Sequence, residues 1–120
     1  MPKQKVLLAE DDYTMVSLLK TLLKMEGYEV IALDAEDDVI QAVRSVKPDL
    51  LLMDVHLFSQ NGLDILDKIR EAGDTSSLRV LMSSGANVKD ECLNHGANGF
   101  LMKPYMPDDL FKQLKNVLSI

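Results

Sequence analysis

The chain has 120 residues, which suits one domain with one hydrophobic core and leaves no room for a second. Its hydrophobic fraction of 47% and charged fraction of 27% are ordinary for a globular protein, and its formal net charge of -6 argues against a nucleic-acid-binding surface. No apolar run approaches the roughly 20 residues that span a bilayer, the N-terminus lacks the apolar core of a signal peptide, and the single cysteine permits no internal disulfide. We therefore expect one cytoplasmic domain over residues 1–120, with neither a membrane nor a nucleic-acid partner.

Strands and helices are predicted to alternate along the whole chain. Short apolar runs indicate strands, and apolar residues repeating every three or four positions indicate helices. The predicted strands lie at 6–9, 30–32, 50–53, 80–82 and 100–102. The apolar stripes of the helices that follow them lie at 15–23, 39–46, 63–69, 88–95 and 110–118. We also expect the acidic residues 36–38 to form the first turn of the second helix.

This alternation predicts a parallel α/β sheet with right-handed crossovers. The repeating units are too few to close a barrel, so the expected fold is an open, doubly wound, five-stranded sheet of the flavodoxin-like kind with strand order 2-1-3-4-5. In that order the chain reverses direction across the sheet between strands 1 and 3. Ligands of such folds bind outside the carboxyl ends of the strands at this switch point.

Polar side chains follow four of the predicted strands at that edge of the sheet. Glu10 and Asp11 follow the first strand, Asp54 the third, Ser84 the fourth and Lys103 the fifth. Each has a simple alternative role, because Asp54 could merely end a strand, Lys103 could be an ion-pair partner, and serine is common at strand ends. The joint pattern favours a functional site.

The chemistry of this set points to a cation and to phosphoryl transfer. Two like charges about 4 Å apart cost roughly 4 kcal/mol at an effective dielectric constant near 20, so three carboxylates need protonation or a bridging cation. An all-oxygen ligand set shared with phosphate suits Mg²⁺. A carboxylate such as Asp54 can be the nucleophile toward a phosphoryl group, while Mg²⁺, Lys103 and Ser84 neutralise the transferred oxygens.

With these residues in place, the chain resembles the receiver (phospho-acceptor, CheY-like) domain of two-component response regulators. The resemblance covers Val6 to Leu118 and depends on six motifs. These are Val6-Leu-Leu-Ala-Glu-Asp-Asp12, Asp49-Leu-Leu-Leu-Met-Asp54, Asn61-Gly62, Val80-Leu-Met-Ser-Ser84-Gly85, Gly96-Ala97 and Lys103-Pro104. It implies a phosphorylation-operated signalling module, not a conventional enzyme.

The resemblance also implies the role of each site residue. Asp54 is similar to the phosphorylated aspartate and Lys103 to the lysine that contacts the phosphoryl group. Glu10 and Asp11 resemble the family's acidic pair, with Asp11 the direct Mg²⁺ ligand. The remaining implied groups are the backbone carbonyl of His56 as a metal ligand, the Ser84 hydroxyl, and Phe100 as the switch aromatic.

The implied partners are a sensor histidine kinase or phosphotransfer protein, which donates the phosphoryl group from phosphohistidine, and a downstream protein. The downstream protein would bind the face formed by the fourth helix, fifth strand and fifth helix, where a phosphorylation-linked homodimer is also possible. The sequence departs from the family pattern at Phe58, where proline is usual, so we expect a reshaped loop after Asp54. Phe100 has no hydroxyl, and Ser84 replaces the commoner threonine.

Three other classes of protein share parts of this pattern. An aspartate-nucleophile phosphohydrolase would need a second acid two residues after Asp54, where His56 stands. A flavin carrier of the same fold would need a phosphate loop rich in Ser, Thr and Gly after the first strand, where the acidic Glu10-Asp11-Asp12 would repel an anion. A receiver domain that acts as a constitutive interaction module and is never phosphorylated stays open.

Overall fold

The computed structural model describes residues 3–34 and 36–119. In this part of the chain the strands are β1 (Lys5–Ala9), β2 (Glu29–Ala32), β3 (Leu50–Asp54), β4 (His56–Leu57), β5 (Gln60–Asn61), β6 (Arg79–Ser84) and β7 (Gly99–Met102). Five of them form a parallel sheet in the order β2-β1-β3-β6-β7, while β4 and β5 form a separate antiparallel hairpin. Since β6 and β7 are the fourth and fifth strands of the predicted sheet, the predicted order is confirmed.

In the described ranges four helices connect strands of the sheet and a fifth follows β7, and together they cover both faces of the sheet. They are α1 (Tyr13–Met25), α2 (Val39–Val46), α3 (Gly62–Glu71), α4 (Lys89–Asn94) and α5 (Pro107–Leu118). None of the helices in the described ranges has the length and apolar character needed to cross a bilayer.

The sheet divides the hydrophobic core into two clusters, and the central strand β3 contributes side chains to both. Leu51 and Met53 pack into the larger cluster, which α2, α3 and α4 cover, while Leu50 and Leu52 pack into the smaller one under α1 and α5. These four side chains are at most 3% exposed. Their complete burial explains the uninterrupted apolar run, because a strand in the middle of a doubly wound sheet has no solvent face.

The acidic residues before α2 do not lie where the sequence indicated. Asp38 is the N-cap, and its Oδ1 accepts the backbone N–H of Gln41 at 3.1 Å. Asp37 Oδ2 accepts the N–H of Asp34 at 2.8 Å, so it closes a turn before the helix. The prediction that residues 36–38 form the first turn was wrong. Aspartate stabilises a helix more as its N-cap, where the carboxylate accepts free amide N–H groups, than at a position inside the helix.

The two ends of α4 are held very differently. At its C-terminal end, His95 Nδ1 lies 2.6 Å from Asp67 Oδ1 on α3, and Arg70 of α3 donates from Nε to the Gly96 carbonyl at 2.9 Å. The same guanidinium donates to Asn98 Oδ1 at 2.9 Å. At its N-terminal end, no side chain in the described residues caps the first turn after Val88. His95, at the C-terminal end of α4, therefore has a carboxylate partner on the neighbouring helix.

Candidate functional site

The carboxylates are brought together by the register of two neighbouring strands. Ala9 of β1 pairs with Met53 of β3, so Glu10 and Asp54 follow at the same level of the sheet edge. Both are buried, at 6% and 8% exposure, whereas Asp11 is exposed. Carboxylate oxygens of Glu10, Asp11 and Asp54 lie within 4.8 Å of one another. The structure therefore assembles all three predicted acids at the carboxyl edge of the sheet.

Lys103 extends from the end of β7 into this acidic cluster. Its ammonium donates to Glu10 Oε1 and Oε2 at 2.8 and 3.0 Å and to Asp54 Oδ2 at 2.8 Å. Its backbone N–H donates to the Ser84 carbonyl at 2.8 Å, which continues the pairing of β6 with β7. The lysine is thus an ion-pair partner for two acids at once, in a position that also suits contact with a group on Asp54.

Burial and mutual repulsion perturb the protonation of these groups. Burial is the main cause that raises the pKa of Glu10, to about 7, and the charge of Asp54 adds to it, while Lys103 opposes the shift. Burial alone would lower the pKa of Lys103, but its bonds to Asp54 and Glu10 outweigh this, and its pKa is raised. Tyr105 also has a raised pKa, from burial first and then from the charges of Glu10 and Asp54. The site therefore carries net negative charge that favours a further cation.

Ser84 and Phe100 both lie inside the protein. Ser84 is 1% exposed, and its Oγ accepts the N–H of Ala86 at 3.2 Å. Phe100 is 8% exposed and packs in the larger core cluster, with its backbone paired to Met82. Ser84 closes β6, the strand next to the one that carries Asp54, whose register partner is Ser83. The predicted switch residues thus occupy adjacent strands, with Ser84 at the carboxyl edge of the sheet and Phe100 further inside the core.

The segment after Asp54 is a hairpin, which the sequence did not indicate. Leu57 pairs with Gln60, so Phe58 and Ser59 are the two turn residues. Phe58 has φ of 53°, in the left-handed region, which costs a non-glycine residue about 1–2 kcal/mol. Proline cannot adopt that angle, because its ring holds φ near −65°. The expected reshaping of the loop thus has a defined geometry here.

Two further residues explain how the hairpin joins α3. Asn61 caps α3, its Oδ1 accepting the N–H of Leu63 at 2.9 Å. A Cβ on Gly62 would overlap the backbone carbonyl oxygen of Asp54, and the Gly62 N–H donates to the Val55 carbonyl at 2.6 Å. The motif Asn61-Gly62 therefore places the start of α3 directly against the backbone of the acidic strand.

The donor set fits Mg²⁺. Three carboxylates within reach of one ion supply only hard oxygen ligands, and the exposure of Asp11 leaves room for the waters that Mg²⁺ retains. Asp11 Oδ2 already accepts the backbone N–H of Phe58 at 3.0 Å, which leaves Asp11 Oδ1 for a metal. His56, whose backbone carbonyl was implied as a ligand, is the first residue of β4, and its side chain is exposed. Glu10, Asp11 and Asp54 are the residues whose carboxylates could hold the ion, and the His56 carbonyl as a further ligand stays a prediction.

Sequence reasoning missed three parts of this site. It did not find the backbone amide of Phe58 beside Asp11, nor Tyr105 near the two buried acids. It also did not foresee that Lys103 contacts Glu10 as well as Asp54. The backbone contact has no side-chain pattern, but the phenylalanine in place of the usual proline was a signal that an amide N–H becomes available there.

The fold and the acidic cluster at the carboxyl edge of its sheet are similar to those of receiver domains, and comparison with known proteins agrees. The sequence profile of the response regulator receiver domain matches residues 6–115. The chain therefore belongs to the response regulator receiver domain family, and it is a receiver domain of the two-component type.

Individual relatives support this assignment. The chain is 35% identical to the transcriptional regulatory protein CpxR of Escherichia coli, with 95% of the chain and 49% of that protein covered. Among solved structures, it is 26% identical to the chemotaxis response regulator CheY4 of Vibrio cholerae, with a TM-score of 0.86 and coverage of 97% and 99%. A receiver domain of a Pseudomonas aeruginosa sensor histidine kinase, solved with a magnesium ion in its active-site cleft, is 27% identical, with a TM-score of 0.81 and coverage of 99% and 100%.

The chain spans about half the length of the sequence relatives that it matches, CpxR and the DNA-binding response regulator MtrA of Mycolicibacterium paratuberculosis among them.

Proposed function

We propose that this receiver domain accepts a phosphoryl group on Asp54 from a phosphohistidine and uses Mg²⁺ to do so. The observation that carries the proposal is the contact of a buried Asp54 carboxylate with the Lys103 ammonium at 2.8 Å, in a cluster with Glu10 and Asp11. A carboxylate that merely ended a strand would not need two acids and a lysine around it.

In the proposed reaction an Asp54 carboxylate oxygen attacks the phosphorus atom. The bond between phosphorus and the imidazole nitrogen of the donor breaks, and that nitrogen regains a proton. Lys103 is bound to Oδ2, so we assign the attack to Oδ1, and Lys103 then neutralises charge on the transferred oxygens. Bound Mg²⁺ would supply further charge neutralisation and orientation at the same oxygens. Hydrolysis of the acyl phosphate by water would return the free carboxylate.

The test is direct phosphorylation with a small phosphodonor and Mg²⁺, followed by intact-mass measurement. We expect the mass gain of one phosphoryl group, located on the peptide that contains Asp54, and no gain in Asp54→Asn. Asp64→Asn is the matched control, because Asp64 lies exposed in the first turn of α3. An unmodified wild-type protein that retains its fold would favour the alternative of a constitutive interaction module.

The proposed partners follow from this chemistry. The proposed phosphodonor is a sensor histidine kinase or a phosphotransfer protein in the cytoplasm. The proposed output surface is the α4-β7-α5 face, on which Leu93, Met102 and Met106 are 40%, 51% and 69% exposed. Such exposed apolar side chains suit a protein partner or a phosphorylation-linked homodimer. The net charge of -6 gives no support for direct nucleic-acid binding.

We also propose that residues 1–120 form a single receiver domain. Binding of a purified partner to the wild type, with and without a phosphodonor, tests the output surface. We expect Met102→Asp to weaken that binding while phosphorylation of Asp54 proceeds as in the wild type.

A further inference from the structure

The hairpin after Asp54 contacts the acidic cluster through one backbone group. The N–H of Phe58 donates to Asp11 Oδ2 at 3.0 Å, across 47 residues of sequence. Asp11 itself is exposed. An exposed aspartate side chain ordinarily samples several rotamers, so a bond from a fixed backbone donor selects one of them.

The donor is held in place by the local backbone and by packing. Phe58 is the first of two turn residues between Leu57 and Gln60, and a positive φ at that position is shared by the turn types that suit two-residue hairpins. Its half-buried ring packs against the larger core cluster. Leu57 beside it is fully buried. The unfavourable φ is therefore maintained by the core, and the amide is held facing Asp11.

From these observations we propose that the Phe58 backbone amide is a positioning group that orients Asp11 for Mg²⁺. The inference rests on the proposed function, since it assigns the metal to the same carboxylates. The amide occupies Oδ2, so Oδ1 can bind the ion without losing this bond. In metal sites, groups that hydrogen-bond to a ligating side chain commonly fix its orientation before the ion binds. The Phe58 amide would have this role for Asp11.

Proline at this position removes both parts of the arrangement. It has no N–H, and its φ near −65° excludes the observed backbone. Glycine retains the N–H and reaches positive φ freely, while it removes the ring. The pair Phe58→Pro and Phe58→Gly therefore separates the amide from the side chain.

The experiment is calorimetric titration of the purified, metal-free chain with MgCl₂, which needs no phosphodonor. We expect Phe58→Pro to bind Mg²⁺ roughly tenfold more weakly than the wild type, as is common when a group that orients a metal ligand is lost. Phe58→Gly should stay near the wild-type affinity. Equal affinities for Phe58→Pro and the wild type would overturn the proposal. Equal losses in Phe58→Pro and Phe58→Gly would assign the effect to the ring and would overturn it as well.

Amide hydrogen exchange provides a second test that does not depend on the folding of Phe58→Pro. The Phe58 amide of the wild type should be protected, and Asp11→Ala should remove that protection while the amides of β3 stay unchanged. Exchange of the wild-type Phe58 amide at the rate of an unfolded peptide would refute the inference. A wild type that neither binds Mg²⁺ nor accepts a phosphoryl group would instead refute the proposed function.

Discussion

The Lys103 ammonium lies 2.8 Å from Asp54 Oδ2 and also 2.8 Å from Glu10 Oε1, so one lysine bridges two buried carboxylates. This contact offsets a repulsion that would otherwise oppose folding. A metal ion bound at the cluster would therefore add its charge to that of Lys103 and would not replace the lysine. The stability of the metal-free protein should therefore depend on Lys103 and on pH.

Replacing Lys103 with methionine should destabilise the metal-free protein. The change leaves Glu10 and Asp54 buried without their cation, a loss of about 3 kcal/mol for a pair of this kind. Mg²⁺ can supply the missing charge, so millimolar Mg²⁺ should raise the unfolding free energy of Lys103→Met more than that of the wild type. Denaturant unfolding with EDTA or with Mg²⁺ measures both effects. Lys112→Met, at an exposed site on α5, is the control, and equal stability of the two variants would contradict the expectation.

The pH dependence of the unfolding free energy should reflect the titration of Glu10. Its pKa is raised from 4.5 to about 7 in the folded protein, mainly by burial. The folded state therefore binds a proton at Glu10 more tightly than the unfolded state does. The stabilisation that results is fully present below pH 4.5 and is lost as the pH rises through 7. Without Mg²⁺ the unfolding free energy should fall between pH 5 and 8 by up to about 3 kcal/mol.

Glu10→Gln should flatten this dependence, because glutamine does not titrate. Urea unfolding of the wild type and of Glu10→Gln in EDTA at several pH values compares the two slopes. Mg²⁺ binding should show the opposite trend in the wild type and strengthen as pH rises, since the ion competes with the proton on Glu10. A wild type with the same slope as Glu10→Gln would place the titrating group elsewhere.

Alanine at Gly62 should disturb the acidic strand itself. The added Cβ would overlap the Asp54 carbonyl oxygen, a backbone atom that cannot move aside cheaply. We expect a loss of about 2 kcal/mol in unfolding free energy together with slower phosphorylation of Asp54. Gly73→Ala is the matched control, because a Cβ there meets nothing within 4 Å, and its effect should be within about 0.5 kcal/mol. Thermal or denaturant unfolding of both variants decides the question.

Phosphorylation of Asp54 should change the conformation of the α4-β7-α5 face. The Ser84 hydroxyl now accepts the Ala86 N–H, and turning it toward a phosphoryl group on Asp54 would release that bond. We expect beryllium fluoride with Mg²⁺ to change amide hydrogen exchange across residues 88–114. In Ser84→Ala the changes should stay near residues 55–62. The same confinement in the wild type would show that Ser84 and Phe100 do not couple the site to this face.

The sheet and the position of the acids were predictable because they depend on regular patterns. Apolar runs and helical stripes imply alternation, alternation implies the strand order, and that order places Glu10 beside Asp54. The hairpin was not predictable, because it depends on Phe58 adopting a backbone angle that its own sterics disfavour. The position of Asp38 as a cap was missed because acidic residues are found both at the N-cap and in the first turn, so a run of three does not mark where the helix begins.

The unequal ends of α4 determine how this helix can move. Arg70, Asp67 and His95 tie its C-terminal end to α3, whereas the described residues place no capping side chain at the end near Val88. We therefore expect this short helix to pivot about its C-terminal end, near Gly96. A change in the position of Ser84 should reach the uncapped end of α4 first, so residues 88–90 should move furthest and Asn98 least. Partners that bind near Val88 would distinguish the phosphorylated from the unphosphorylated protein. Partners that bind near Gly96 would bind both forms with similar affinity.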